Sequence, residues 1–415
     1  MSKTIWIVNK YAMPPQYEPR LQTIKMAHYL VEAGYEVIVF GSSIMHNMDM
    51  NIINDNSFYI ENYYNDLHFI HINTCSYKST AGLKRVWSDV QFHYRLVKLS
   101  SKFKKPDIIL ATTSPIITNP LLKYARKNKI KYITQSLDIW PDDFANFGLI
   151  SKRNPIMKML FLQALYNYKK SDACVFSWCG CYNYMKEKKW DKSSGGPIDL
   201  NKLHYINNGV DLSDFDAFKK QYIIEDKDLN NPNYKKIIYI GSIRLANKVE
   251  DLIKAAEKLK ERKDIKFLIY GNGDDRETLI EYCKNNNLNN IYFKDKWVDP
   301  KYVPYIVSSA YINVANYISS DFAKYGISSS KMFQYMAAGK PIICNINIFE
   351  CPITKNNIGI AKEFKNADEY AQAIESLINL SKNEYTEMCI RARETAKEFD
   401  YKYLTDKLIK VIERI

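Results

Sequence analysis

Short apolar segments alternate with amphipathic segments along this chain, and that order limits the folds open to it. The apolar runs Thr4–Val8 and Tyr35–Phe40 flank an amphipathic stretch, Arg20–Ala33, that Gly34 ends. Further strands are predicted over residues 67–72, 107–111, 131–135, 173–177, 203–206 and 237–241. Alternating strands and helices predict an α/β fold, in which parallel sheets are covered on both faces and ligands bind beyond the carboxyl ends of the strands.

The composition is that of an ordinary globular protein with an excess of bases. Of the 415 residues, 46% are hydrophobic and 25% charged, and the net charge is +13. This length predicts two or three domains, and the charge predicts an acidic partner: nucleic acid, an anionic membrane or phosphate-bearing substrates. No apolar run approaches the ~18 residues of a membrane span, and the first strand begins at Thr4 without an apolar leader, so we expect a cytoplasmic protein.

The eight cysteines are scattered, and Cys179 and Cys181 are their only close pair. No second pair at metal-ligand spacing accompanies them, which favours free thiols over a zinc site.

Residues 325–341 contain a short helix with clear start and stop signals. Gly339 suits the left-handed position after a helix, and Pro341 prevents continuation. Lys331 adds a full charge to the first turn, where unpaired amides already favour anions. The pattern therefore fits a phosphate site, and it equally fits an ordinary surface helix of an α/β domain. The candidate N-cap residues are Ser328, Ser329 and Ser330.

This helix resembles the signature helix of the retaining glycosyltransferases of group 1 (family 4, GT-B fold), especially those that build bacterial O-antigen and capsular polysaccharides. The resemblance rests on Lys331-x-Phe-x-Tyr-Met-Ala-Ala-Gly-Lys-Pro341. It implies two Rossmann-like domains with parallel sheets that face a central cleft, and a donor diphosphate bound by Ser328, Ser329, Ser330 and Lys331. Two acidic residues that normally mark the motif are replaced here by Gly326 and Gln334. Gln334 keeps a carbonyl that can accept a ribose hydroxyl, and Asp321 or Lys324 are candidates to substitute for the side chain that Gly326 lacks.

Other segments extend the resemblance across the chain. Asn208-Gly-Val-Asp211 is similar to the junction between the two domains of the family, and Gly271-x-Gly273 is another landmark. In the turn after strand 237–241, Arg244 and Lys248 supply the charges that grip the diphosphate, although alignment puts Ser242 and Asn247 at the usual positions. The segment after Asn290–Phe293 would face the base, through Lys294 and Trp297.

The implied domains are an acceptor-binding domain over residues 1–212, a linker over 213–235 and a donor-binding domain over 236–398. A C-terminal helix, 399–415, is expected to cross back to the first domain.

In the first domain, Asp138 belongs to an Asp-x-Trp-Pro segment where related enzymes carry a residue facing the donor sugar. We expect Asp138 to contact or polarise the reacting groups, with a helix cap as its alternative role. The expected acceptor-side residues are Arg20, Thr113 and Trp140; a capped turn would also explain Thr113.

The resemblance implies transfer of a hexosyl or N-acetylhexosaminyl group, with retention, from a nucleotide-sugar, and UDP is the expected nucleotide. Asp138, Arg244 and Lys248 would be catalytic, and no metal or other cofactor is expected because no Asp-x-Asp-type ligand pair stands out. The acceptor would be a polyprenyl-diphosphate-linked or other saccharide. Two alternatives are a sugar-nucleotide epimerase of the same fold and a catalytically silent scaffold in a polysaccharide-assembly complex; Gly326 and Gln334 favour the scaffold.

Two basic stretches that carry aromatic residues, 83–105 and 152–161, are candidates for contact with an anionic membrane surface. Near such a surface each base contributes ~1 kcal/mol, so several of them could hold the protein at the inner face of the cell membrane. Solvated helix faces are the alternative. Nucleic acid is not expected, because no nucleic-acid-binding motif is present.

Overall fold

The structure is a computed structural model that describes residues 2–17, 22–45, 48, 50–77, 83–113, 119–142, 151, 153–319 and 321–415. The chain divides into two compact units. The first consists of Met1–Asn208 and Tyr401–Ile415, and the second of Gly209–Asp400.

The first unit is built on an eight-stranded sheet in the order β3-β4-β2-β1-β5-β6-β7-β8. Its strands are β1 (Thr4–Val8), β2 (Glu36–Ser42), β3 (Tyr59–Tyr64), β4 (Leu67–Ile72), β5 (Ile108–Thr112), β6 (Lys131–Ser136), β7 (Ala173–Phe176) and β8 (Leu203–Tyr205). The helices described before the second unit are α1 (Gln22–Glu32), α2 (Leu83–Leu99), α3 (Asn119–Lys127), α4 (Pro155–Lys170) and α5 (Cys181–Glu187). β3 runs antiparallel to β4, and the other pairs are parallel.

Alternate residues of β1 enter two separate cores, which shows that both faces of this sheet are covered. Ile5 and Ile7 pack with α1 on one face. Trp6 and Val8 pack with α2 and α3 on the other. This is the period of two expected of a buried strand.

The second unit has a fully parallel six-stranded sheet in the order β11-β10-β9-β12-β13-β14. The strands are β9 (Lys235–Ile240), β10 (Ile265–Tyr270), β11 (Ile291–Phe293), β12 (Ile312–Ala315), β13 (Ile342–Cys344) and β14 (Gly359–Ala361). The helices are α6 (Leu212–Gln221), α7 (Val249–Lys258), α8 (Arg276–Asn285), α9 (Val303–Ser308), α10 (Ser330–Ala337), α11 (Pro352–Lys355), α12 (Ala367–Ile378) and α13 (Lys382–Ala396).

The last helix, α14 (Tyr401–Arg414), belongs to the first unit although it follows the second in the chain. Its residues Leu404, Leu408, Val411 and Ile412 are buried in the same core as α1. At the surface, Lys3 pairs with Glu413 at 2.8 Å. This helix therefore completes one face of the first sheet.

The α/β prediction is confirmed, with two corrections to its details. β3 makes the first sheet mixed rather than parallel throughout, because Tyr59–Tyr64 pairs with β4 as an antiparallel edge strand. The segment 213–235 is not an irregular linker from end to end. Asp211 caps α6 by accepting from the Asp214 amide, and Phe215 is buried, so a helix occupies the first part.

Among the residues that the structure describes, no helix has both the length and the apolar character needed to cross a membrane. The cysteines form no disulfide, and Cys181 is buried.

Candidate functional site

Helix α10 has the bounds that its signals predicted. Ser329 is the N-cap residue in an extended conformation, and Gly339 adopts a left-handed φ of 62° after the last turn. Its amide donates to the Met336 carbonyl at 2.9 Å. Met332, Phe333 and Met336 are fully buried, so this apolar face packs on the sheet and leaves the other face for polar residues.

Lys331 lies in the first turn of α10, against the end of β9. Its ammonium group donates to the Tyr239 hydroxyl at 3.2 Å and lies 4.8 Å from the centre of the Tyr239 ring. A side chain at Gly241, the residue after β9, would collide with that ammonium group. Burial lowers the pKa of Lys331 to about 8, and no carboxylate among the described residues pairs with it. A half-buried cation without an anionic partner is a favourable binding site for a phosphate.

The loops that follow β9 and β10 pack backbone against backbone. The Gly241 amide donates to the Tyr270 carbonyl at 3.1 Å, and the Ile243 amide donates to the Asn272 carbonyl at 2.8 Å. A side chain at Gly271 would collide with the Gly241 carbonyl, which explains why glycine is needed there. A Cβ at Gly273 would lie 2.9 Å from Arg244 Cγ, so this glycine loop supports the segment that carries Arg244.

The loop Gly241–Lys248 holds its two bases in different ways. Arg244 is exposed, whereas Lys248 is partly buried and adopts a left-handed φ of 44°. The Lys248 carbonyl accepts from Asn316 Nδ2 at 3.0 Å, which ties the loop to the end of β12. Ser242 and Asn247, at the positions where the family carries its bases, hydrogen-bond to each other at 3.2 Å. These two residues therefore close the loop, while Arg244 extends to solvent.

Gln334 lies on the polar side of α10. Its Oε1 atom is buried and has no hydrogen-bond donor among the residues described. An unpaired buried carbonyl is unfavourable by ~1–3 kcal/mol, so a ligand hydroxyl would be a favourable partner. Of the other donor-site candidates, Ser328 is partly buried and Ser330 is exposed at the start of the helix.

The two residues predicted to face the base differ in their exposure and in their partners. Trp297 is 74% exposed. Lys294, by contrast, pairs with Asp226 at 2.8 Å and Asp228 at 2.7 Å, so its side chain is held by the segment that was predicted to be a linker. Arg276, which the sequence analysis missed, donates to the carbonyls of Gly271 and Lys294, both at 2.8 Å. A base-binding role for Lys294 is therefore confined to its backbone and stays a prediction.

The candidates in the first unit form a separate group near the ends of β5 and β6. Asp138 is exposed, yet the surrounding protein desolvates its carboxyl and raises its pKa. Thr113 is partly buried and its amide donates to the Gln135 carbonyl at 2.7 Å. Trp140 is only 8% exposed, so little of its ring is free to meet an acceptor. Arg20 lies outside the described residues.

Asp142, four residues after Asp138, has a structural role that the sequence did not indicate. It is buried, accepts from the Tyr184 hydroxyl at 2.7 Å and pairs with Lys188 at 2.8 Å. The segment after β6 is thereby anchored to α5.

Comparison with known proteins finds a family similarity in the second unit. Residues 221–399 match the family model for glycosyl transferases group 1. A curated relative, the uncharacterized glycosyltransferase MJ1607 of Methanocaldococcus jannaschii, is 25% identical over 188 residues. That match covers 43% of this chain and 45% of the relative, so it spans less than half of the relative's length.

Solved structures resemble the whole chain at low identity. A glycosyltransferase from Rickettsia africae ESF-5 has a TM-score of 0.65 and 17% identity, covering 100% of this chain and 98% of that one. The trehalose-6-phosphate structure from E. coli bound with UDP-2-fluoro glucose has a TM-score of 0.73 and 12% identity over 99% of both chains. Anabaena Alr3699/HepE in complex with UDP and glucose has a TM-score of 0.65 and 11% identity over 100% of both. At these identities the likeness shows the fold. Residues 221–399 are thus similar to a glycosyltransferase group 1 domain, and the fold of the chain is GT-B.

Proposed function

We propose that this protein is a retaining, family 4 glycosyltransferase that moves a hexosyl or N-acetylhexosaminyl group from a UDP-sugar to a saccharide or lipid-linked acceptor. The observation that carries the proposal is Lys331, a half-buried cation without a carboxylate partner among the described residues, in the first turn of a helix. The group 1 domain around it adds support, as do neighbours of the same fold in complex with UDP and UDP-glucose.

The chemistry follows from the charge that the leaving group gains. As the bond between the sugar and the diphosphate breaks, the phosphate oxygen that leaves becomes more negative. Lys331, Arg244, Lys248 and the amides at the start of α10 would stabilise that charge, and electrostatic stabilisation of this kind usually contributes most to such catalysis. The acceptor hydroxyl forms the new bond to the sugar and gives its proton to the departing phosphate oxygen. No metal and no strong protein base is needed in this scheme.

Asp138 and Gln334 have supporting roles in the proposal. Gln334 Oε1 accepts a hydroxyl of the donor ribose, which satisfies its unpaired carbonyl. Asp138, whose raised pKa reflects poor solvation, contacts the donor sugar or polarises the acceptor. In this proposal Thr113 and Arg20 would contact the acceptor.

For the acceptor we propose a polyprenyl-diphosphate-linked saccharide, handled at the cytoplasmic face of a membrane during synthesis of a bacterial surface polysaccharide such as O-antigen or capsule. The net charge of +13 suits such a diphosphate and an anionic membrane surface.

Thermal unfolding with UDP, GDP, CDP, dTDP and ADP tests the donor site. A ligand present at about one hundred times its Kd adds ~2.7 kcal/mol of stability, and we expect UDP to give the largest shift. Lys331→Met should lose most of that shift, whereas Lys260→Met, which removes an exposed lysine in the same unit, should keep it. Absence of a shift with every nucleotide would contradict the proposal and favour the scaffold, which the replacements at Gly326 and Gln334 support.

A further inference from the structure

Helix α4 of the first unit exposes large apolar side chains that nothing in the described structure covers. Four of them are between 37% and 59% exposed: Ile156, Met159, Leu162 and Tyr166. At 100° per residue they fall within about one third of the helix circumference. The opposite face packs normally, since Met157, Leu160 and Ala164 are buried. We call the four exposed residues the α4 face.

The charged side chains on α4 itself are all basic. The sequence of α4 contains no acidic residue, and Lys158, Lys169 and Lys170 on it are all exposed. Arg153, just before the helix, is exposed as well. An apolar stripe bordered by bases on one helix is the pattern of a segment that lies in the plane of an anionic membrane surface.

An open pocket of about 640 Å³ adjoins the α4 face at Leu162. Arg153 and Lys158 line it together with Phe161, Leu162, Leu165 and Trp190. Two cations beside apolar and aromatic side chains match an amphiphilic anion such as a lipid, with its charged head near the bases and its chain on the rings.

The other basic stretch lacks this arrangement. Along α2, the apolar side chains Phe92 and Leu96 are fully buried, and the large apolar side chains exposed among its described residues are the single aromatic residues Trp87 and Tyr94. Arg85 donates to the Tyr11 hydroxyl, and Arg95 donates to the Asn73 carbonyl, so two of its bases have internal partners. Exposed aromatic residues that stand singly need no partner, whereas a contiguous apolar patch does.

We propose that the α4 face docks the protein on a bilayer that contains anionic lipid. The inference deepens the membrane part of the proposed function and rests on it, but it does not depend on the donor site. Apolar side chains of the α4 face enter the interface, and the surrounding bases pair with lipid phosphates.

The test is co-sedimentation of the full chain with vesicles of phosphatidylcholine, with and without phosphatidylglycerol. We expect binding to the anionic vesicles alone, weakening as salt is raised. Met159→Ser with Leu162→Ser should lower the partition coefficient by about tenfold or more, because two apolar side chains leave the interface. As the matched control, Trp87→Ser with Tyr94→Ser removes two exposed aromatic residues from α2 and should bind like the unmodified protein.

A second double variant, Arg153→Glu with Lys158→Glu, tests the charge without changing the α4 face. It should also lose binding to the anionic vesicles. Unchanged thermal unfolding would show that each variant is folded. No binding of the unmodified protein, equal binding to neutral vesicles, or normal binding by both α4 variants would overturn the proposal. So would a dimer that the Met159 and Leu162 changes dissociate, since the α4 face would then meet a second copy. The UDP-induced thermal shift, measured on the same variants, separates this result from failure of the donor site.

Discussion

The charge on Lys331 is the residue-scale feature on which the candidate donor site depends. Burial lowers its pKa from 10.5 to about 8, and its nearest described polar partner is a neutral hydroxyl, that of Tyr239. A bound diphosphate would raise this pKa again, because an opposite charge favours the protonated amine. Proton binding and ligand binding are therefore linked at this residue.

We predict that affinity for UDP is nearly constant between pH about 7 and 8 and falls above it, by up to tenfold per pH unit, because the free protein then binds a proton together with the ligand. Titration calorimetry at several pH values measures this. Lys331→Met should bind weakly at every pH, and Lys260→Met should retain the pH dependence. A flat profile up to pH 10 in the unmodified protein would contradict the role given to Lys331.

The lowered pKa of Lys331 also predicts how the stability of the ligand-free protein depends on pH. Stability should rise with pH, whereas the affinity for UDP should fall. Between pH about 8 and 10.5 the unfolded state binds more protons than the folded state at Lys331, so its contribution to stability rises with pH and is least favourable below pH 8. Lys331→Met removes this cost, and we expect the variant to unfold at a higher temperature than the unmodified protein at pH 7. The advantage should shrink as the pH approaches 10.5. A lower melting temperature at pH 7 would show that the lysine stabilises the fold.

At the scale of elements, the candidate donor site is assembled by two loops that could not approach each other with larger residues. Gly271 has a φ of 121° and faces the Gly241 carbonyl directly. This close approach of the two loops positions the segment that carries Arg244 at the end of β9, where Lys331 also lies.

Gly271→Ala should therefore destabilise the protein by ~2–4 kcal/mol, because the methyl group meets backbone and the left-handed conformation is strained. Gly195→Ala is the matched control. Gly195 also has a positive φ, 83°, but nothing lies near its added methyl group, so it should cost only ~1 kcal/mol. Chemical denaturation of both variants compares the two costs, and equal losses would show that the close approach is unimportant.

The sequence predicted many of the helices and strands, and it missed features that depend on residues far apart in the chain. The bounds of β1 and β4 follow from apolar runs, and those of α10 from its caps, all of which are local signals. β3 was missed because Glu61 and Asn62 interrupt any apolar run in Tyr59–Tyr64, and the segment pairs with β4 as an edge strand. The ion pair of Lys294 with Asp226 joins residues 68 positions apart, and no local pattern indicates such a contact. Gln334 was identified by resemblance, whereas its unpaired carbonyl required the structure.

At the scale of the whole molecule, the first unit is built from two distant segments of chain. Residues of α1 and α14 share one core, in which Leu408 is 1% exposed. The final helix therefore contributes to the stability of the unit formed by the beginning of the chain.

Leu408→Ala should destabilise the first unit by ~2–5 kcal/mol through the cavity that it leaves. Lys410→Ala, an exposed position on the same helix, should stay within ~0.5 kcal/mol. Hydrogen exchange resolves the effect by unit, and we expect faster exchange in β1 and α1 of the leucine variant with little change in β9 and β10. Equal loss of protection in both units would instead show that they unfold together.

The position of α14 also bears on how the protein is made. A ribosome synthesises β1 and α1 early, yet the helix that covers one side of their core emerges only after the complete second unit. At ~5–20 residues per second, the 192 residues of Gly209–Asp400 take about 10 to 40 s to synthesise. Throughout that interval the α1 side of the first sheet has an exposed apolar surface. The nascent chain therefore has a defined period in which a chaperone would be useful, and that period ends when α14 docks.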